Sequence, residues 1–107
     1  MRIVALVGDL MDRSRITAAV PTTSFATDPS GAAGADVVVI DLGRQAAAVA
    51  VVRRLEPDAW IVAFGAHVDE AVLATAATDG ADRVLPRSRF FQDPAAAVAP
   101  GDRGVPA

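Results

Sequence analysis

Residues 36–42 read DVVVIDL. Val37, Val38, Val39 and Ile40 are β-branched in unbroken succession, so the segment is a strand with no polar face. A strand that is apolar on both faces must be covered on both sides, as in the middle of a parallel sheet. The run ends abruptly at Asp41, which marks that end of the strand as the place where chemistry meets solvent. Working outward, two further runs share the character: residues 3–7 (IVALV) and 60–64 (WIVAF). Residues 83–85 (RVL) form a shorter strand, and residues 22–26, just after Pro21, a weak one.

Helical spacing fills the gaps. Residues 12–20 place Ile16, Ala19 and Val20 on one face, with Asp12 as the expected N-cap. Residues 44–55 place Ala47, Ala48, Val51 and Leu55 on one face, put Arg53 and Arg54 in the last turn and stop before Pro57. Residues 69–78 carry the stripe Val72, Leu73, Ala76 and Ala77, and Asp79-Gly80 is the stop signal. Ser88 is the expected cap of a short turn through Phe90 and Phe91. Asp93 is the expected cap of a last helical turn opened by Pro94. Residues 28–34 (DPSGAAG) make a loop or one helical turn.

Strands alternating with helices predict an α/β domain with right-handed crossovers. The arrangement expected is a flavodoxin-like three-layer sandwich around a five-stranded parallel sheet, order 2-1-3-4-5. The 107 residues suffice for one such domain, expected over 1–99, with 100–107 (PGDRGVPA) as a disordered tail.

Composition narrows the function. The chain is 52% hydrophobic but only 5% aromatic, so its core is built from small aliphatic side chains. All ten basic residues are Arg. A net charge of −3 argues against nucleic-acid binding. Absent Cys excludes disulfides, thiolate zinc and a Cys nucleophile, and a single His excludes a multi-His metal site. No apolar run reaches the roughly 20 residues of a membrane span, and the chain opens straight into a strand without a signal peptide, so the expected location is cytoplasmic.

In this architecture function gathers at the carboxyl ends of the strands. There stand Gly8-Asp9, Asp41, Gly65-Ala66-His67 and Arg87-Ser88. Asp9 and Asp41 are expected on neighbouring strands, where two like charges invite a cation: Mg²⁺ held by oxygen ligands, or Arg87 as an internal partner. The bland readings are that Asp41 caps the following turn and that Asp9 faces the dipole of the first helix. His67, Asp69 and Glu70 read as solvated residues at a helix start. Arg83, Arg87 and Arg89 form a small basic cluster, with Asp82 or Asp93 as expected partners. No GxGxxG, Walker sequence or Ser/Thr-rich phosphate loop is present.

The segments LVGD (6–9), DVVVIDL (36–42), IVAFGAH (61–67) and GADRVLPRS (80–88) resemble the response-regulator receiver (CheY-like) family over residues 2 to about 92. The resemblance implies a phosphoacceptor at Asp41 and metal ligation by Asp9 and Asp41. It puts the second acid of the pair at Gly8, the switch hydroxyl at Gly65, the switch aromatic at Val84 and the Lys-Pro pair at Arg87-Ser88. Four of these positions depart from the family, so the sequence looks like a degenerate receiver, or pseudo-receiver. The expected function is a stand-alone regulatory domain acting through a protein partner or homodimer without phosphorylation, without a required cofactor and without catalysis. The face of residues 69–78, strand 83–85 and the last helix is its expected interface. The alternatives are a true single-domain response regulator phosphorylated at Asp41 with Mg²⁺, and a small anion- or nucleotide-binding module using Arg87.

Overall fold

A computed structural model describes residues 1–101. The remaining residues, 102–107, hold most of the expected tail and lie outside the description. In chain order the elements are β1 (Ile3–Leu6), α1 (Leu10–Ala19), β2 (Ser24–Phe25), a 3-10 turn (Pro29–Ala32), β3 (Val37–Asp41), α2 (Leu42–Gln45), α3 (Ala48–Leu55), β4 (Trp60–Gly65), α4 (Glu70–Asp79), β5 (Arg83–Pro86), α5 (Arg87–Gln92) and α6 (Pro94–Val98). The strands form one parallel sheet in the order β2-β1-β3-β4-β5.

The central strands are buried end to end because each face has its own core. Val4, Leu6, Val38, Ile40, Ile61 and Ala63 point one way, against the 3-10 turn, α3 and α4. Ile3, Ala5, Val7, Val37, Val39, Val62 and Phe64 alternate to the other side, against α1, α5 and α6. Each buried Val, Ile or Leu contributes roughly 1.5–3 kcal/mol. Phe64, Phe90 and Phe91 pack as one aromatic cluster, with ring centroids 4.7–5.2 Å apart.

The helices depart from the expected phases. The span 44–55 is two helices with a turn between, and α3 buries Ala48, Val49 and Val52, leaving Val51 and Leu55 40% exposed. The reason is Arg53. Its guanidinium donates to the carbonyls of Gly80, Pro57 and Ala59 and pairs with Asp82 at 2.8 Å, which fixes the rotation of the helix. Helix α1 starts earlier than expected. Asp9, not Asp12, is its N-cap, accepting from the Asp12 backbone N–H at 3.0 Å. That turns Asp12 inward to join Ile16 as the buried residues of the helix, while Ala19 faces solvent and Val20 falls outside it.

In α4, Ala76 is buried, Val72 and Leu73 are half-buried and Ala77 is exposed. Gly80 closes that helix at φ 118°, where an added Cβ would lie 2.8 Å from Arg53 Cγ. Strand β2 is two residues rather than five, since Ser24 stays exposed at the sheet's edge. Strand β5 runs one residue further than expected, to Pro86. Ser88 is no cap, because α5 begins directly after Pro86 with no side-chain cap. Asp93 does cap α6, accepting from Ala96 N–H at 3.1 Å.

Candidate functional site

The carboxyl ends of β1, β3, β4 and β5 open into a crevice of about 450 Å³. Asp9, Asp12, Asp41, Asp69, Arg44 and Arg87 supply its charged groups, and Leu42 and Val72 its apolar walls. Of the residues expected here, Asp9, Asp41, Gly65 and Arg87 meet in this one place. Val84 does not; it lies half-buried in β5, packed against the α3 and α4 side of the core. His67 and Glu70 are exposed and do not line the crevice.

Asp41 ends β3 and is buried, 6% exposed. Its Oδ1 accepts from Gly43 N–H at 2.9 Å, which caps α2. Its Oδ2 accepts no hydrogen bond from the described residues, and Asp41 forms no ion pair among them. Asp9 faces the crevice from the N-terminus of α1. Hydrogen bonding from the Asp12 backbone N–H holds its carboxyl below the usual aspartate value, against a smaller opposing effect of desolvation. The Arg44 and Arg87 charges favour the ionised form further.

Arg87 is the internal cation, but its partner is Asp12. The guanidinium grips that carboxylate with both forks, at 2.6 and 2.9 Å, although 75 residues separate them. Asp12 is 3% exposed while the Arg87 side chain is 43% exposed, so the aspartate depends on the pair for its burial. The guanidinium also lies 5.0 Å from the Phe91 ring centre and 5.6 Å from that of Phe64. The hydrogen bond to Asp12 pushes the Arg87 pKa above its ordinary value, with Asp12, Asp41 and Asp9 adding their charge against desolvation. Arg83 stands apart from this group. It donates to the carbonyls of Ala96, Ala97 and Ala99 and lies over Trp60, while Asp82 belongs to Arg53, so the three arginines of the C-terminal segment are not one cluster.

The sequence points to Asp12 as a helix cap, Arg44 as a helix residue and Asp69 as a solvated first-turn acid. All three line the crevice. The spacing of Asp9 and Asp12 over one helical turn was the available signal for the second of them. An added Cβ at Gly8 would lie 3.4 Å from Arg44 Nη1, so a guanidinium stands beside the position that lacks an acid. At Gly65 an added Cβ would lie 3.3 Å from Leu42 Cβ and 3.4 Å from Leu73 Cδ2. Because α2 begins immediately after β3, Leu42 stands close against the position from which a side chain at 65 would start. Among the described residues, no three His, Cys, Asp or Glu side chains group as a set able to hold a metal ion. No helix among them is long and apolar enough to cross a membrane.

Neither a protein-family sequence model nor a curated protein sequence matches the chain. Solved structures do match, and they show the fold. A response regulator from Burkholderia pseudomallei, its structure holding a phosphorylated aspartic acid, a calcium ion and citrate, superposes with a TM-score of 0.77 at 17% identity, over 92% of this chain and 66% of that one. This chain therefore spans only about two thirds of that protein's length. A response regulator receiver domain protein from Clostridium thermocellum gives a TM-score of 0.74 at 15% identity, over 91% and 90% of the two chains. A pilus assembly-related protein from Burkholderia pseudomallei gives 0.68 at 17% identity, over 95% and 94%. The chain has the response-regulator receiver (CheY-like) fold.

Proposed function

We propose that this chain is a receiver-like regulatory domain that acts through protein contact, with a crevice that needs neither phosphorylation nor a resident metal ion. The observation that carries this reading is the bidentate bond of Arg87 to Asp12. By its place after β5, Arg87 is the cation a phosphoryl group on Asp41 would call upon. Releasing it would strand a carboxylate that is 3% exposed, a change costing several kcal/mol.

The residues present do not fit a divalent cation. Gly8 offers no carboxylate, Arg44 brings a positive group beside it, and Asp12 is already neutralised. Gly65 lacks the hydroxyl that could follow a phosphoryl oxygen, and Leu42 crowds the position where its side chain would start. The charged lining holds four carboxylates and two guanidinium groups, which also disfavours a free anion or nucleotide.

A second reading keeps Asp41 as a phosphoacceptor. It is favoured by the open Oδ2 at the crevice floor and by the neighbour that carries a phosphorylated aspartic acid. Amide NMR shifts on adding Mg²⁺ and beryllofluoride separate the two. The expected result is no response at Asp9, Asp41 and Arg87. Saturable shifts clustered at those residues would establish the phosphoacceptor and remove the proposal.

A further inference from the structure

We propose that the crevice is a docking site for a protein segment presenting one basic side chain between apolar neighbours, the basic group seated against Asp41 and the neighbours against Leu10, Met11 and Val68. The inference rests on the phosphorylation-independent reading, since a phosphoryl group or metal ion on Asp41 would fill the same place.

Three independent features converge. The first is the floor. Asp41 is more than nine-tenths buried, uses one oxygen on Gly43 N–H, and turns into the crevice an oxygen with no donor among the described residues. A carboxylate in that state is a strong acceptor in search of a charged donor.

The second is the rim. Leu10, Met11 and Val68 are 76%, 70% and 74% exposed, and apart from the N-terminal Met1 they are the most exposed large apolar side chains described. Leu10 and Met11 lie between the lining residues Asp9 and Asp12, and Val68 between the lining residues Ala66 and Asp69. Exposed apolar side chains thus adjoin, in the chain, the lining residues of both α1 and the β4–α4 loop, which suits a contact surface better than scattered exposure does. The expected interface, the face of residues 69–78, strand 83–85 and the last helix, carries none of the large exposed apolar side chains among the described residues.

The third is charge and shape. With Asp12 paired to Arg87, the lining still holds three further carboxylates, Asp9, Asp41 and Asp69, against one further guanidinium, Arg44. The lining sets the apolar side chains of Leu42 and Val72 beside the acidic groups. An Arg or Lys matches that combination, with an aliphatic stem and a cationic tip.

The test is an amide NMR titration of the whole chain, without Mg²⁺ or fluoride, using the capped tripeptide Leu-Arg-Leu and its Leu-Gln-Leu counterpart. The expected result is saturable shifts at Asp9, Leu10, Asp41, Val68 and Asp69, with a Kd on the order of 1 mM that weakens with added salt. Leu-Gln-Leu binds about tenfold more weakly, and Asp41→Asn, which keeps an acceptor for Gly43, weakens Leu-Arg-Leu by about the same factor. The double variant Leu10→Ser/Val68→Ser weakens it severalfold, and Asp79→Asn, remote from the crevice, leaves it unchanged. Equal shifts with the two peptides, binding untouched by Asp41→Asn, or no saturable shift up to about 20 mM would each overturn the proposal. Such a failure leaves the beryllofluoride result standing, whereas a beryllofluoride response removes the function and, with it, the ground of this proposal.

Discussion

Arg53 and Arg87 sit at opposite ends of the same parallel sheet, and each holds an aspartate. At the amino end of β4 and β5, Arg53 reaches the carbonyls of Gly80, Pro57 and Ala59 besides Asp82, whose Oδ2 also accepts from Ile61 N–H at 2.8 Å. At the carboxyl end, Arg87 reaches Asp12 alone by hydrogen bonds, and Asp9 and Asp41 stand near it as charges. The first pair is woven into the main chain of three elements. The second is a single grip between α1 and α5, with acceptor capacity left open beside it. The difference teaches that an ion pair holds a fold in proportion to the backbone groups it satisfies, whereas a pair at the mouth of a crevice chiefly sets the charge of the site.

The largest effect expected from breaking this comparison is that of Arg53→Ala. It removes a donor shared by several carbonyls and the ion-pair partner of Asp82, and urea unfolding should show a loss of about 3–5 kcal/mol. Arg87→Ala comes next, at about 2–4 kcal/mol, because it strands buried Asp12 while sacrificing a half-exposed arginine. If Arg87→Ala cost as much as Arg53→Ala, the two ends would be equally structural and the distinction would fail. Asp12→Asn should cost less, about 1–2 kcal/mol, since the freed guanidinium stays hydrated. It should also shift the amide signals of Asp41 as Arg87 turns toward the remaining carboxylates.

A smaller effect lies in pH. Asp9 is more acidic in the folded chain than its ordinary 3.8, owing first to the Asp12 N–H. Its capping contribution is therefore present above the ordinary value and is lost as pH falls through the depressed one. Thermal melts of the native chain and Asp9→Asn should differ at neutral pH and converge as the pH falls through the depressed value. A gap that widened on acidification would contradict the assignment of the cap. The smallest effect is that of Leu10→Ser/Val68→Ser on stability, within about 0.5 kcal/mol, as suits side chains that project into solvent.

How much of this was legible in the sequence follows from which forces are local. The strands β1, β3 and β4 declare themselves because burial on two faces removes every polar residue, and their order follows from alternation with helices. The site was legible as a set of strand ends, hence Asp9, Asp41, Gly65 and Arg87. Its electrostatics were not. Asp9 and Asp12 are both good caps, and choosing between them needs the position at which α1 leaves β1. The choice decides everything downstream, because only the unused cap can turn inward to a guanidinium 75 positions away. The face of α3 failed for the same reason, since its rotation is set by carbonyls of distant loops rather than by its own pattern.

The two ends of the sheet order, β2 and β5, have a consequence for assembly. One edge offers two residues, and the other closes on Pro86, which has no backbone N–H to give. Both edges are short, so growth by strand addition is disfavoured. Contacts made through side chains on a face or at the crevice mouth are favoured over shared backbone pairing.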